Sequence, residues 1–339
     1  MHPVAALREI AFWLERERAE VFKVKAFRTA AGALGGLSED DIAARVRDGR
    51  LKKTRGIGGR SFEVVSAVVA GEVPGYLADL RDRNAAPLAE GGAEIRAAIR
   101  GDLHSHSERS DGTVPIDEML DAAVVLGREY LALTDHSPNL TIANGLSAER
   151  LDEEIADVAE INRAGRATRL LTGIEVDILE DGTLDQSPEM LSRLDVVVAS
   201  VHSKLRSDSR TMTERMLGGI RDPHTDVLGH CTGRLVEGSR GTRPPSEFDA
   251  EAVFAACAEN GVAVEINSRP ERQDPPEQLI AMALDAGCLF SIDSDAHAPG
   301  QLAFLDYGAE RAAAAGVPID RIVTTWPLDR LLEWTSRHD

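Results

Sequence analysis

The chain is poor in cysteine, in long apolar runs and in positive charge, and each shortage excludes something. Cys231, Cys257 and Cys288 are odd in number and form no CxxC pair. Neither a disulfide framework nor a thiolate zinc site is encoded, and the usage fits a reducing compartment. No apolar run approaches the roughly 18 residues of a membrane span. The opening MHPVAALREIAFWLERER is too charged for a signal peptide. We therefore expect a cytoplasmic protein with no membrane partner. Lys and Arg number 38 against 57 Asp and Glu, a net charge of −19, which argues against a nucleic-acid binder overall.

The shortage of positive charge is uneven. Residues 1–85 carry 15 basic and 12 acidic side chains, and the rest of the chain carries 23 and 45. A mildly basic module, able to meet a phosphate backbone, precedes an acidic one of the kind that carboxylate-rich metal sites produce. The 339 residues suffice for two domains, or for one barrel with an appendage.

The first 80 residues read as short helices. Leu7, Ile10, Ala11 and Leu14 follow helical spacing, and Ser38 with Asp41 resembles a helix cap. Three glycines in TRGIGGR, residues 54–60, break two helical stretches, and helix resumes over Ser61–Ala70. We place a helical domain at 1–83, a linker at 84–97 around NAAPLAEGG, and a larger domain at 98–339. In the last, seven short apolar runs alternate with helical segments: Arg100–His104, Tyr130–Thr134, Leu170–Val176, Val196–Val201, Val227–Gly229, Val262–Ile266 and Leu289–Ile292. Arg321–Thr325 is an eighth strand candidate or a closing segment. Parallel strands with helical crossovers over about 240 residues indicate an α/β fold of the (β/α) barrel type.

Six of the nine histidines sit at or just beyond the end of an expected strand. DLHSHSERSD supplies His104, His106 and Asp111, LTDH supplies His136, and GIEVD supplies Glu175. SVH gives His202, LGH gives His230, and SDAH gives Asp295 and His297. In a parallel barrel these ends meet at one face, and residues two apart on a strand share a side. Imidazole and carboxylate suit Zn2+, Mn2+ or Fe2+, whereas so many buried carboxylates without cations would repel one another. Nine ligands serve three ions if Glu175 bridges two of them. A bridged pair polarises an attacking water and stabilises phosphoryl oxygens. A lone histidine at a strand end is usually structural, but six at five ends are not independent. His2, His224 and His338 lack this context and read as surface residues.

In order, DLHSHSERSDG, LTDHS, GIEVDIL, ASVHSK, GHCTGRL, EINSRPERQDPP and SDAH resemble the polymerase-and-histidinol-phosphatase (PHP) family. The likeness is strongest to the C-terminal PHP domain of bacterial family X DNA polymerases and runs from about 100 to 309. It implies a distorted seven-stranded (β/α) barrel preceded here by a small all-α helix-hairpin-helix domain. It also implies three divalent metal ions. The first would take His104, His106, Glu175 and Asp295; the second Glu175, His202 and His230; the third Asp111, His136 and His297. The implied activity is phosphoester hydrolysis, by trimming DNA 3′ ends or dephosphorylating small molecules, with His202, His230 and Glu175 at the activated water.

VFKVKAFRTAAGAL and RGIGGRSFEVVSAVVAG resemble the DNA-end-binding domain of the same polymerases. This points to DNA contact by Gly56, Gly58 and Gly59 through backbone N–H groups, with Lys52, Lys53, Arg55 and Arg60 adding charge. Two departures limit the analogy. The polymerase palm between the two modules is absent, so nucleotide polymerisation is not expected. Val64 stands where lyase-active relatives carry a Schiff-base lysine, so lyase activity is not expected either.

Lys204, Arg234 and Arg269 are candidate phosphate contacts, with Arg234 favoured for its bidentate geometry. Asn267 lines the pocket or caps a turn. Asp135 orients a ligand or caps a helix, and Asp177 and Asp181–Gly182 read as loop and turn. Three functions compete: a nuclease or 3′-end phosphatase acting on DNA ends, a small-molecule phosphomonoesterase, and a non-catalytic DNA-end-binding protein with structural metals. A metal-dependent amidohydrolase is disfavoured because no strand-end lysine is available. Oligomeric state is not encoded in any motif.

Overall fold

The computed structural model describes residues 1–238 and 241–336. It divides into two compact units, Met1–Pro87 and Leu88–Asp339.

The first unit is helical: α1 (Pro3–Arg16), α2 (Val21–Leu34), α3 (Glu39–Arg47), α4 (Gly59–Val69) and α5 (Gly75–Arg83). Helix α1 starts where His2 Nδ1 accepts from Val4 N at 3.1 Å and proline fills the first turn. Its stripe of Leu7, Ile10, Ala11 and Leu14 is buried with Phe27, Leu34, Val64, Val65, Leu77 and Leu80. Ser38 Oγ accepts from Asp41 N, the cap expected for α3. Helix α4 begins two residues earlier than expected, because Ser61 Oγ accepts from Gly58 N at 2.9 Å and closes the first turn there. Gly56 stands at φ +91°, and a Cβ there would lie 3.0 Å from Thr29 Cγ2, so the turn before α4 requires glycine.

The second unit is built on β1 (Gly101–Asp102), β2 (Tyr130–Leu133), β3 (Arg169–Asp177), β4 (Val196–Ser200), β5 (Val227–Leu228), β6 (Ala263–Asn267) and β7 (Leu289–Asp293). All are parallel and pair in sequence order. Helices cross over between them, among them Ile116–Val125, Ala148–Arg163, Ser209–Arg221, Ala250–Asn260 and Glu277–Asp285. The result is the α/β seven-stranded barrel anticipated from the sequence.

Its closure explains the distortion. Strand β1 has only two residues, and side chains stand in for the missing backbone ladder to β7. Asp293 Oδ1 accepts from Leu103 N at 2.8 Å, and Asp102 Oδ1 accepts from Ser294 N at 3.1 Å. Two residues further along each chain segment, Ser105 and Ala296 form a parallel bridge.

Of the two readings of Arg321–Thr325, the strand is not found: the run forms two 3-10 turns, Ile319–Arg321 and Val323–Thr325, with one isolated bridge from Ile322 to Phe290. Val323, Trp326 and Leu331 instead pack against Leu103, Tyr130, Val196 and Val227 and fill the bottom of the barrel. Ala93–Ala98 forms a short helix whose Ile95 is buried in the second unit's core. Among the described residues no helix is long and apolar enough to cross a membrane.

Candidate metal centre

The parallel register sends all seven C-terminal strand ends to one rim. His104 and His106 follow β1, His136 follows β2, and Glu175 lies in β3. His202 follows β4, His230 follows β5, and Asp295 and His297 follow β7. These positions are separated by up to 193 residues, yet the side chains converge on Glu175. Glu175 Oε1 lies 2.8 Å from His230 Nε2 and 3.1 Å from His202 Nε2. Glu175 Oε2 lies 2.9 Å from His136 Nδ1, 3.2 Å from His104 Nε2 and 3.6 Å from His106 Nε2. Asp111 Oδ1 lies 3.2 Å from His297 Nε2 and 3.4 Å from His136 Nε2. Asp295 Oδ1 lies 3.6 Å from His106 Nε2. The nine residues singled out in the sequence therefore occupy one site.

Within it, three groups bring one donor atom each to within 4.8 Å of one another: His106, Asp111, His136 and His297; His104, His106 and Glu175; and His136, Glu175 and His202. They differ in detail from the sets implied by the family resemblance, since His106 and His136 are each shared between two groups. Asp295 joins none of these groups; its Oδ2 accepts from Arg272 Nε at 2.9 Å and Asn267 Nδ2 at 3.1 Å, while Oδ1 faces His106. Its backbone lies at φ +51°, the left-handed region that an aspartate adopts at some cost.

The donor set fits divalent metal ions. Both ring nitrogens of His106 and His230, His104 Nε2, His136 Nδ1, His202 Nε2 and Glu175 Oε1 are buried without a hydrogen-bond partner. Their short separations from one another are not aligned as hydrogen bonds. Buried polar atoms are rarely left so, and imidazole and carboxylate donors that converge this closely suit cations.

The electrostatics agree. Burial alone would raise the Glu175 carboxyl, but His104, His202 and His136 hold it well below the usual carboxylate range. Burial is likewise outweighed at Asp295, by Arg272 and Arg269, and at Asp111, by His136 and His297. Against burial, Glu175 holds His104 and His202 up and lifts His136 to about 10. Burial, with His297 and His136 adding repulsion, pushes His106 down, and burial with Arg272 does the same to His230. The three carboxylates are thus held down, while His104, His136 and His202 are held up and His106 and His230 are pushed down.

One edge of the cluster is open. The Asp111, His297 and His202 side chains are 35%, 18% and 11% exposed, whereas those of His104, His106 and His230 are buried.

The other candidates fall in varied places. Arg269 Nη1 lies 3.0 Å from His297 Nδ1, at the rim. Arg234 donates from Nε to Arg272 O at 3.1 Å and from Nη2 to Gln273 O, so its guanidinium braces the loop after β6. Lys204 is exposed two residues beyond His202, with φ +54°. Asp135 Oδ1 accepts from Ser107 N and Ser110 Oγ, and Oδ2 accepts from Ser107 Oγ, tying down the loop that carries Asp111. Asp181 and Gly182 form a turn, as expected, with Asp181 Oδ1 accepting from Thr183 N. His2 caps α1 rather than standing free, and His224 lies 2.9 Å from Asp222. His338 lies outside the described residues.

In the helical unit, Lys52, Lys53, Arg55, Gly58, Gly59 and Arg60 are exposed around the GIG turn. Lys52 Nζ sits 4.6 Å from the Phe62 ring and the Arg60 guanidinium 5.2 Å from the Tyr76 ring, so aromatic faces orient two of these cations. Val64 is buried.

Two carboxylates escaped the sequence reading. Asp177, read as a loop residue, ends β3 with its side chain buried, and Oδ1 lies 2.5 Å from His202 Nδ1. Glu265 in β6 is wholly buried, with Oε1 2.6 Å from His104 Nδ1. Residues two apart share a strand face, so Glu175–Asp177 and Glu265–Asn267 fall on inward faces, but that parity does not name the histidine each carboxylate meets.

Comparison with known proteins adds the family. The PHP domain family matches residues 102–269. The DNA polymerase/3′-5′ exonuclease PolX of Bacillus subtilis is 33% identical over 241 residues, 71% of this chain, and the chain spans only 42% of that relative's length. A probable phosphatase of Aeromonas hydrophila is 27% identical over 67% of this chain and 89% of its own length. The solved histidinol phosphate phosphatase of Lactococcus lactis, complexed with zinc, L-histidinol and phosphate, superposes with a TM-score of 0.46 at 16% identity, covering 64% of this chain and 94% of its own. With the matched segment running from β1 through β6, the barrel of this chain belongs to the PHP domain family.

Proposed function

We propose that the protein is a metal-dependent phosphoesterase that processes DNA 3′ ends, as a 3′→5′ exonuclease or 3′-end phosphatase. The observation that carries the hydrolase reading is the convergence of six imidazoles and three carboxylates with orphaned buried donor atoms on one barrel rim. We assign three divalent ions to the sets His104, His106, Glu175 and Asp295; Glu175, His202 and His230; and Asp111, His136 and His297. Bound there, divalent ions supply a water made nucleophilic near neutral pH and positive charge for the phosphoryl oxygens.

The chain's own residues set the geometry around that chemistry. Asp177 holds a proton on His202 Nδ1 and so leaves Nε2 facing Glu175. The substrate phosphate approaches over Asp111, His297 and His202, the exposed edge. Arg269 beside His297, and Lys204 beyond His202, place cations at that edge to bind and orient the phosphate. Arg234, already engaged with backbone carbonyls, keeps the neighbouring loop in place. The basic GIG turn in the helical unit binds the DNA end through backbone N–H groups and Lys52, Lys53, Arg55 and Arg60.

The PolX relative supports DNA as substrate, and the match of the probable phosphatase over most of its length supports a second reading, a small phosphomonoester. One assay separates them. Mn2+-loaded protein is incubated with a 5′-labelled primer–template and, in parallel, with a small phosphomonoester, with His202→Ala as control. A primer ladder shortened from the 3′ end and absent in the variant is expected. An intact primer with phosphate released from the small ester overturns the DNA reading, and inactivity on both overturns the phosphoesterase.

A further inference from the structure

Strand β6 is the one barrel strand whose end carries none of the nine candidate ligands, yet it lies between β5 and β7, which carry three. Its inward residues are acidic and polar. Glu265 is wholly buried, and its two oxygens reach different strands. Oε1 lies 2.6 Å from His104 Nδ1, beyond β1, and Oε2 accepts from His230 N at 2.5 Å, beyond β5. Two residues on, Asn267 donates Nδ2 to Glu265 Oε2 at 3.2 Å and to Asp295 Oδ2 at 3.1 Å, beyond β7.

We infer that Glu265 is the positioning residue of the metal centre, fixing the ring tautomer of His104 and the backbone of His230 so that both direct Nε2 at Glu175. A carboxylate accepts only, so His104 Nδ1 carries the proton of that contact and the lone pair needed for a metal falls on Nε2. His104 Nε2 and His230 Nε2 then lie 3.2 and 2.8 Å from Glu175 oxygens. Asp177 does the same for His202 alone, from β3. Glu265 differs in serving two ligands assigned to two different ions, so β6 acts as the strut between neighbouring metal positions. The inference rests on the metal-centre reading above.

The test uses Zn2+ on the full chain and reads binding rather than turnover. Zn2+ affinity is measured by competition with a chromophoric chelator, and the His104 ring is followed by 15N–1H correlation spectra of the zinc-loaded protein. Glu265→Ala is expected to weaken zinc binding about 10–100-fold and to remove the protected Nδ1–H signal of His104. Asp177→Ala is expected to disturb His202 and leave the His104 signal in place. If Glu265→Ala does not fold, Glu265→Gln serves: its amide can accept from one of the two donors but presents N–H to the other, so a smaller loss with a shifted His104 signal is expected. A folded variant with unchanged affinity and an unshifted His104 ring overturns the inference while leaving the metal centre standing. Wild-type protein that binds no Zn2+ overturns both.

Discussion

Arg272 Nε lies 2.9 Å from Asp295 Oδ2, and both side chains are buried, so this ion pair sits inside the wall of the metal site. Arg272 is the neighbour that most holds the Asp295 carboxyl down against burial. Removing one partner of such a pair leaves an uncompensated charge, at a cost of about 3–5 kcal/mol. Arg272→Ala is therefore expected to unfold at markedly lower temperature in the absence of metal. Added Mn2+ should restore part of the loss, because a cation in the site takes over as counter-charge for Asp295. A melting temperature equal to wild type, or no recovery with metal, contradicts this role.

Glu175 is the hub, within 3.6 Å of five imidazoles. Glu175→Gln keeps the shape and removes the charge. Metal content measured by plasma mass spectrometry should fall by at least one ion per chain. Phosphoesterase activity should fall at least about a hundredfold, beyond the loss typical of residues that only orient ligands. Full metal content with full activity would exclude Glu175 as a bridge.

His136 gives a pH signature. Burial opposes its protonation, but Glu175 and Asp111 lift its pKa from 6.5 to about 10. A raised folded-state value contributes stability that is complete below about pH 6.5 and is lost as pH rises through about 10. In metal-free protein, the melting-temperature gap between wild type and His136→Asn should shrink over that window. At pH 8 a metal ion must displace the proton, so calorimetric titration in buffers of different ionisation enthalpy should show proton release. A gap independent of pH, with no buffer dependence, contradicts the assignment.

The buried Glu154, on the helix Ala148–Arg163, behaves oppositely. Burial, with repulsion from Asp135, pushes its carboxyl well above 4.5. An acid raised in the folded state costs nothing below its unfolded value, and the cost grows as pH rises above about 4.5. Glu154→Gln mimics the protonated form. It should raise the melting temperature, more at pH 8 than at pH 5. A variant less stable than wild type at pH 8 would contradict the raised carboxyl of Glu154.

The barrel and its rim were legible because a parallel strand–helix repeat sends every C-terminal strand end to one face, which turned HSH, TDH, SVH, GH and SDAH into a single site. Glu265 was not legible. Its meaning depends on His104, 161 residues away, and an acidic residue inside a strand gives no local sign of what it faces. Asp177 was misread because an aspartate after a strand has the same local chemistry whether it closes a turn or orients a histidine. The run 321–325 reads as a strand by composition, but Val323 and Trp326 are taken up in plugging the barrel floor. The run Arg100–His104 reads as a five-residue strand, but β1 keeps only Gly101–Asp102, with carboxylates in place of its ladder to β7.

Occupancy of the cluster around Glu175 by metal ions decides the function of the barrel. Crystals of Mn2+-loaded protein, measured at the manganese absorption edge, test this directly. Three anomalous peaks are predicted among the nine side chains, one of them in contact with Asp111, His136 and His297. An anomalous map with no peak within bonding distance of Glu175 would contradict the metal centre and the phosphoesterase built on it.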